Sequence, residues 1–120
     1  MNFWVVPGIE RKESEYIIMA VCDVFETDFL TLKSKASRKD VYVLPRHFIY
    51  FMLRELKNEK GKPQMSLAEC GKIFLQDHAT ARNAYEKMKF LVVKDNKVKE
   101  KHEAIVNKIA QLKSITHAQK

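Results

Sequence analysis

Apolar residues recur along this chain in steps of three and four rather than in alternation. From Glu10 to Val24 the positions Ile17, Ile18, Val21 and Val24, continued by Phe25, fall on one side of a helix. Glu13 and Glu15 lie early in that run, where the helix dipole favours carboxylates. Thr27-Asp28-Phe29-Leu30 then has the form of an N-cap and a short helix. Leu32 is its last apolar residue, and the polar stretch Lys33-Ser34-Lys35-Ala36-Ser37-Arg38-Lys39-Asp40 predicts a basic loop. Pro45 suits the first position of a helix, and Arg46 to Leu56 carries Phe48, Ile49, Tyr50, Phe51, Met52 and Leu53 around nearly every face. A helix of that kind belongs at the centre of a core.

A polar loop with Gly61 and Pro63 follows, over residues 58–64. Ser66-Leu67-Ala68-Glu69 is a capping box, so a helix starts there and runs to about Phe74. After only Leu75-Gln76, Asp77 offers a second N-cap and opens a long helix with Ala81, Ala84, Tyr85, Met88, Leu91 and Val92 on one stripe. Asp95-Asn96 predicts a break, and Lys97 to Leu112 a last helix with Val98, Ile105, Ile109 and Leu112 inward. Val41-Tyr42-Val43 has β propensity, but no alternating strand emerges. The expectation is an all-α bundle of about five to six helices in a single domain, 1–120, with 1–12 as an N-terminal extension.

Charge narrows the partner class. Residues 1–32 hold 2 basic and 6 acidic groups, a net of −4, which leaves 20 against 9, or +11, for residues 33–120. An anionic partner would therefore meet the chain after residue 32. Cys22 and Cys70 have neither CxxC nor Cys/His ligand spacing, which excludes a zinc ribbon or a disulfide framework and fits a reducing, cytoplasmic setting. No apolar run approaches the roughly 20 residues of a spanning helix, and the apolar stretch near Trp4 has no basic region ahead of it, so neither secretion nor membrane insertion is expected. With no GxxxxGK[ST] or GxGxxG, no nucleotide and no other cofactor is expected. His47, His78, His102 and His117 lie in four separate segments, and no Ser or Cys has a base at a defining spacing, so nothing marks an enzyme. The basic last helix could serve a membrane surface or a protein partner, Glu100 and Glu103 weighing against the former. Phe3, Trp4, Val5 and Val6 could cap the core or bind a protein partner.

A short capped helix, a tight turn and a longer helix opening with small polar residues, about 66–93, outline a helix-turn-helix. Any helical hairpin shares that outline, and an ordinary bundle is the alternative. In a helix-turn-helix the second helix enters the major groove with its first residues while the first offers amides to phosphate. By position alone, Asp77 fits two roles, helix cap and acceptor for cytosine N4; His78 can donate to a base edge or phosphate; Thr80 can touch a thymine methyl or a phosphate. Arg82 and Asn83 lie one turn on, opposite the apolar stripe, where arginine reads guanine and asparagine reads adenine, or both form a solvated face. Lysines near Lys87 would add phosphate contacts.

From about Ile17 to Leu112 the chain resembles the C-terminal DNA-binding domain of the bacterial replication initiator DnaA, a Trp-repressor-like helical bundle. The resemblance rests on Asp23 to Leu30, on Leu44-Pro45-Arg46-His47 with Leu53-Arg54-Glu55-Leu56, on Ser66-Leu67-Ala68-Glu69-Cys70-Gly71, and on Asp77-His78-Ala79-Thr80. It implies double-stranded DNA as partner, with replication initiation or transcription regulation as the setting and the bacterial cytoplasm or nucleoid as the place. It also implies that Lys35, Arg38 and Lys39 form a minor-groove loop, that Arg46 and Ser66 reach phosphate, and that Gln76 bonds adenine or phosphate. The chain departs from the family at the turn, where Phe74-Leu75-Gln76-Asp77 is one residue shorter, lacks glycine and has Gln76 in place of arginine; the family's base preference is therefore not carried over. Ala79 replaces a hydroxyl residue, and the loop before Ser66 is longer. The family's ATPase domain has no counterpart, so the expectation is a DNA-binding module without the motor. The alternative is a helical protein-interaction module that kept the fold and lost base readout.

Overall fold

A computed structural model describes residues 12–34 and 40–117. Among these, six helices occur and no strand: α1 (Glu13–Val24), α2 (Phe29–Lys33), α3 (Asp40–Glu55), α4 (Leu67–Ile73), α5 (His78–Lys94) and α6 (Asn96–His117).

α1 opens with Glu13 and Glu15 in its first turn and ends at Phe25. Beyond it Glu26 takes the left-handed conformation, φ 54°, while its N–H donates to the Asp23 carbonyl and that of Thr27 to the Cys22 carbonyl. This paired closure is a Schellman motif, usually built on glycine. Asp28 then caps α2, accepting the Thr31 N–H at 2.8 Å and the Thr31 hydroxyl at 3.0 Å.

α3 corrects the expectation for Pro45. The helix begins at Asp40, so Pro45 lies inside it rather than at its first position, and Val41-Tyr42-Val43 is helical. Proline removes only the N–H that would reach the Val41 carbonyl, and the ring is fully buried, so packing overrides its local preference. Arg46 returns across the same turn, its Nε donating to the Tyr42 carbonyl at 3.2 Å.

Phe48, Ile49, Tyr50 and Leu53 of α3 are at most 1% exposed, which makes this helix the axis of the core. Each such side chain contributes roughly 1.5–3 kcal/mol by burial. Phe48 meets Phe25 at the end of α1 with ring centroids 5.7 Å apart, and Phe51 stacks on Tyr85 of α5 at 5.8 Å. His102 of α6 lies against both Phe48 and Phe51. α6 runs antiparallel to α1 and is tied to it by Lys108 to Asp23 at 2.7 Å and by Lys113 to Glu13. It extends five residues past the predicted end at Leu112, to His117. No described helix is long and apolar enough to cross a membrane. Cys22 and Cys70 are buried free thiols, and burial pushes the Cys22 thiol up to about 12.

Candidate nucleic-acid interface

The chain from Leu56 to Pro63 closes a small loop in which the Asn58 carboxamide accepts the N–H groups of Lys60 and Lys62. Arg54 of α3 donates to the Met65 carbonyl at 2.7 Å and so fixes where α4 starts. There the capping box is complete: the Glu69 N–H donates to Ser66 Oγ and the Ser66 N–H to Glu69 Oε1, both at 3.1 Å. The Ser66 N–H first, and then the Ser66 side chain, hold the Glu69 carboxyl below its ordinary range. Ser66 is exposed, but its hydroxyl is already engaged within the helix start.

α4 ends in a second Schellman closure. The Gln76 N–H donates to the Gly71 carbonyl at 2.9 Å and the Leu75 N–H to the Lys72 carbonyl at 3.1 Å. Leu75, with φ 57°, occupies the left-handed position. A leucine thus takes the left-handed position that glycine usually fills in such a closure, its side chain 64% exposed. Gly71 is the glycine that this corner does require. A Cβ there would lie 2.6 Å from the Gln76 carbonyl oxygen and 2.8 Å from that of Asp77.

Asp77 caps α5, its Oδ1 accepting the Thr80 N–H at 2.8 Å. The Thr80 backbone bond first, and then the Thr80 side chain, keep the Asp77 carboxyl below its ordinary range. Ala81, Ala84 and Met88 face inward, while His78, Ala79, Thr80, Arg82, Asn83 and Lys87 are exposed. Behind the turn, Tyr50 of α3 donates its hydroxyl to Gln76 Oε1 and packs edge-on against Phe74 at 5.5 Å. Burial of the His47 ring, aided by the charges of Lys87 and Arg46, holds its pKa below the ordinary 6.5. Arg46 also acts on Tyr50. Arg46 of α3 and Lys87 of α5 thus both act on the His47 ring.

A family model described as the bacterial DnaA protein helix-turn-helix matches residues 14–88. The chain belongs to that family. A search of curated proteins found no match. The DnaA helix-turn-helix is a DNA-binding domain rather than a catalytic one. The match covers α1 to α4 and most of α5, and α6 lies beyond it. Against this DnaA frame, Arg46 and Lys87 both act on the His47 ring, and Gln76, Asp77, His78, Thr80, Arg82 and Asn83 follow one another through the turn and the opening of α5. Lys35, Arg38 and Lys39 lie outside the described residues.

The roles of four residues at this corner are not legible in the sequence. Gly71 and Leu75 are set by backbone geometry that composition does not encode. His47 and Tyr50 lie in a run apolar on nearly every face, where nothing singles out the two that turn toward α5 and the turn. Among the described residues no group of three or more His, Cys, Asp or Glu could hold a metal ion.

Proposed function

We propose that the protein binds double-stranded DNA with sequence preference, placing the first two turns of α5 in the major groove. The observation that carries this reading is the division of α5 itself: Ala81, Ala84 and Met88 are buried against the bundle, while His78, Thr80, Arg82 and Asn83 stand exposed just beyond a capped helix start. Arg82 and Asn83 are the base readers, for guanine and adenine. Arg46 and Lys87 contact phosphate from one side, with Ser66 at the start of α4, and Lys35, Arg38 and Lys39 supply a minor-groove loop. Asp77 serves first as the cap that the geometry shows, which leaves His78 as the nearer candidate for a base edge. The activity is control of replication initiation or of transcription, by binding and without ATP hydrolysis.

Binding to random duplex at several salt concentrations tests this. Displacement of about 4–6 counterions predicts a slope of roughly −4 to −5 for log K against log salt, and Lys39→Ala should flatten it by about 1. A second reading, a protein-interaction module, is favoured by Phe90 and Val93, which are 62% and 65% exposed on the far half of α5. A slope near zero would select it and remove the DNA reading.

A further inference from the structure

Gln76 sits directly ahead of the α5 cap, and both its main chain and its side chain are held. Its N–H closes the α4 turn on the Gly71 carbonyl at 2.9 Å, and its Oε1 accepts the hydroxyl of Tyr50, which is 1% exposed. The direction of that bond follows from burial. Tyr50 has no other hydrogen-bond partner among the described residues, so turning the amide over would leave the phenolic proton unpaired in the core, at a cost of roughly 1–3 kcal/mol. Burial also keeps the phenol protonated, by raising its pKa. The carboxamide oxygen therefore faces inward, and Nε2, with two N–H groups and no partner among the described residues, is what Gln76 has left to offer a ligand.

We propose that Tyr50 is a positioning residue that turns the Gln76 carboxamide so that its Nε2 donor, rather than its oxygen, is presented to DNA. This rests on the DNA-binding reading and sharpens it. A glutamine reads adenine by giving one hydrogen bond to N7 and accepting one from N6, which needs oxygen and amide turned to the base together; the Gln76 oxygen keeps a second lone pair, but its bond to the buried Tyr50 hydroxyl turns it toward the bundle and favours contacts made through Nε2 alone. It takes an acceptor instead, either the O6/N7 edge of guanine or a phosphate oxygen.

Selection of bound sequences from random duplexes, with the full chain, is the test. The wild-type protein should show either guanine or no base preference at the position facing Gln76. Tyr50→Phe, which preserves the ring and frees the carboxamide, should admit adenine there while retaining the α5 contacts. Gln76→Glu keeps an acceptor for Tyr50 but removes the donor, and with Gln76→Ala it should weaken binding by roughly 2- to 10-fold. The two acceptors separate by substitution in the duplex: 7-deazaguanine at the selected position, or a scan of methylphosphonate linkages, should weaken the wild type and leave Gln76→Ala unchanged. Adenine at that position for the wild type overturns the proposal. So do identical preferences for wild type and Tyr50→Phe, or full affinity for Gln76→Ala and Gln76→Glu. Absence of salt-dependent duplex binding by the wild type, measured first, defeats the DNA reading itself.

Discussion

Replacing Gly71 with alanine sets two effects of opposite sign against each other. Gly71 lies inside α4, where alanine is favoured over glycine by roughly 0.5–1 kcal/mol, so helix propensity alone predicts a more stable protein. The added Cβ, however, would meet the carbonyl oxygens of Gln76 and Asp77 at 2.6 and 2.8 Å and the Asp77 carbonyl carbon at 3.1 Å. All three are backbone atoms, so no side chain can swing aside. Relief requires the start of α5 to move away from α4, which strains the 2.9 Å bond from Gln76 N–H to the Gly71 carbonyl. Overpacking of this kind costs about 1–3 kcal/mol, and loss of the bond about 0.5–1.5 kcal/mol more. The net expectation is a loss of roughly 1–3 kcal/mol, or about 5–15 °C in Tm for a chain of this size. Thermal and urea unfolding followed by circular dichroism give the number. Because the moved atoms belong to the residues opening α5, affinity for a preferred duplex, measured well below the new Tm, should fall more than affinity for random duplex. A variant as stable as the wild type, or more so, would refute the packing argument and leave propensity as the only effect.

Leu75→Gly should raise the urea midpoint, because relief of the left-handed strain, about 1–2 kcal/mol, exceeds the chain-entropy penalty of roughly 0.4–1 kcal/mol, and the exposed side chain gives up little burial; a lower midpoint would show that Leu75 packs. Arg82→Ala or Asn83→Ala should cost roughly 1–3 kcal/mol on the preferred duplex and less on random DNA, whereas Arg46→Ala should weaken both alike; equal losses from all three would mean that α5 reads no bases. His47 and His102 both have pKa values lowered, first by burial, then for His47 by Lys87 and Arg46, with Glu103 opposing for His102. The unfolded chain then binds protons first as pH falls, so stability is complete above about 6.5 and declines from there toward the folded-state values. The urea midpoint should be lower at about pH 5.5 than at about pH 7.5, and His47→Gln should shrink the difference, with His102 accounting for the rest; a flat profile would contradict both assignments.

Features whose physics is local could be read from the sequence. The Ser66 and Glu69 capping box, the Asp77 cap and the stripe of Ala81, Ala84 and Met88 each depend on residues within a turn or two, and all appear where the spacing places them. Pro45 was misplaced because its cost in a helix is local while its compensation, complete burial against the rest of the bundle, is not. The end of α6 was missed for a similar reason: Lys113 adds nothing to an apolar stripe, yet it pairs with Glu13, 100 residues away in the chain. At the interface, the bond between Tyr50 and Gln76 joins residues 26 apart, and its direction is decided by burial. Leu75 shows the remaining gap, since a left-handed turn announces itself only when glycine or asparagine occupies it.

The chain uses one corner twice. Val24-Phe25-Glu26-Thr27-Asp28 and Ile73-Phe74-Leu75-Gln76-Asp77 share the left-handed third residue, the double carbonyl closure and an aspartate that seizes the N–H of a threonine three residues on. Asp28 and Thr31 do this at a helix of only five residues that carries no nucleic-acid reading. An Asp-x-x-Thr spelling therefore belongs to the grammar of turning a helix in this bundle, and its two fixed letters say where α5 begins. On the proposed function, what would make α5 a reading head is written between and after those letters, in His78 and Ala79 and then Arg82 and Asn83. Phe29, between the same two letters at α2, instead packs on Phe74 at 5.6 Å, so one grammar there carries a core contact and at α5 leaves exposed side chains free to carry a message.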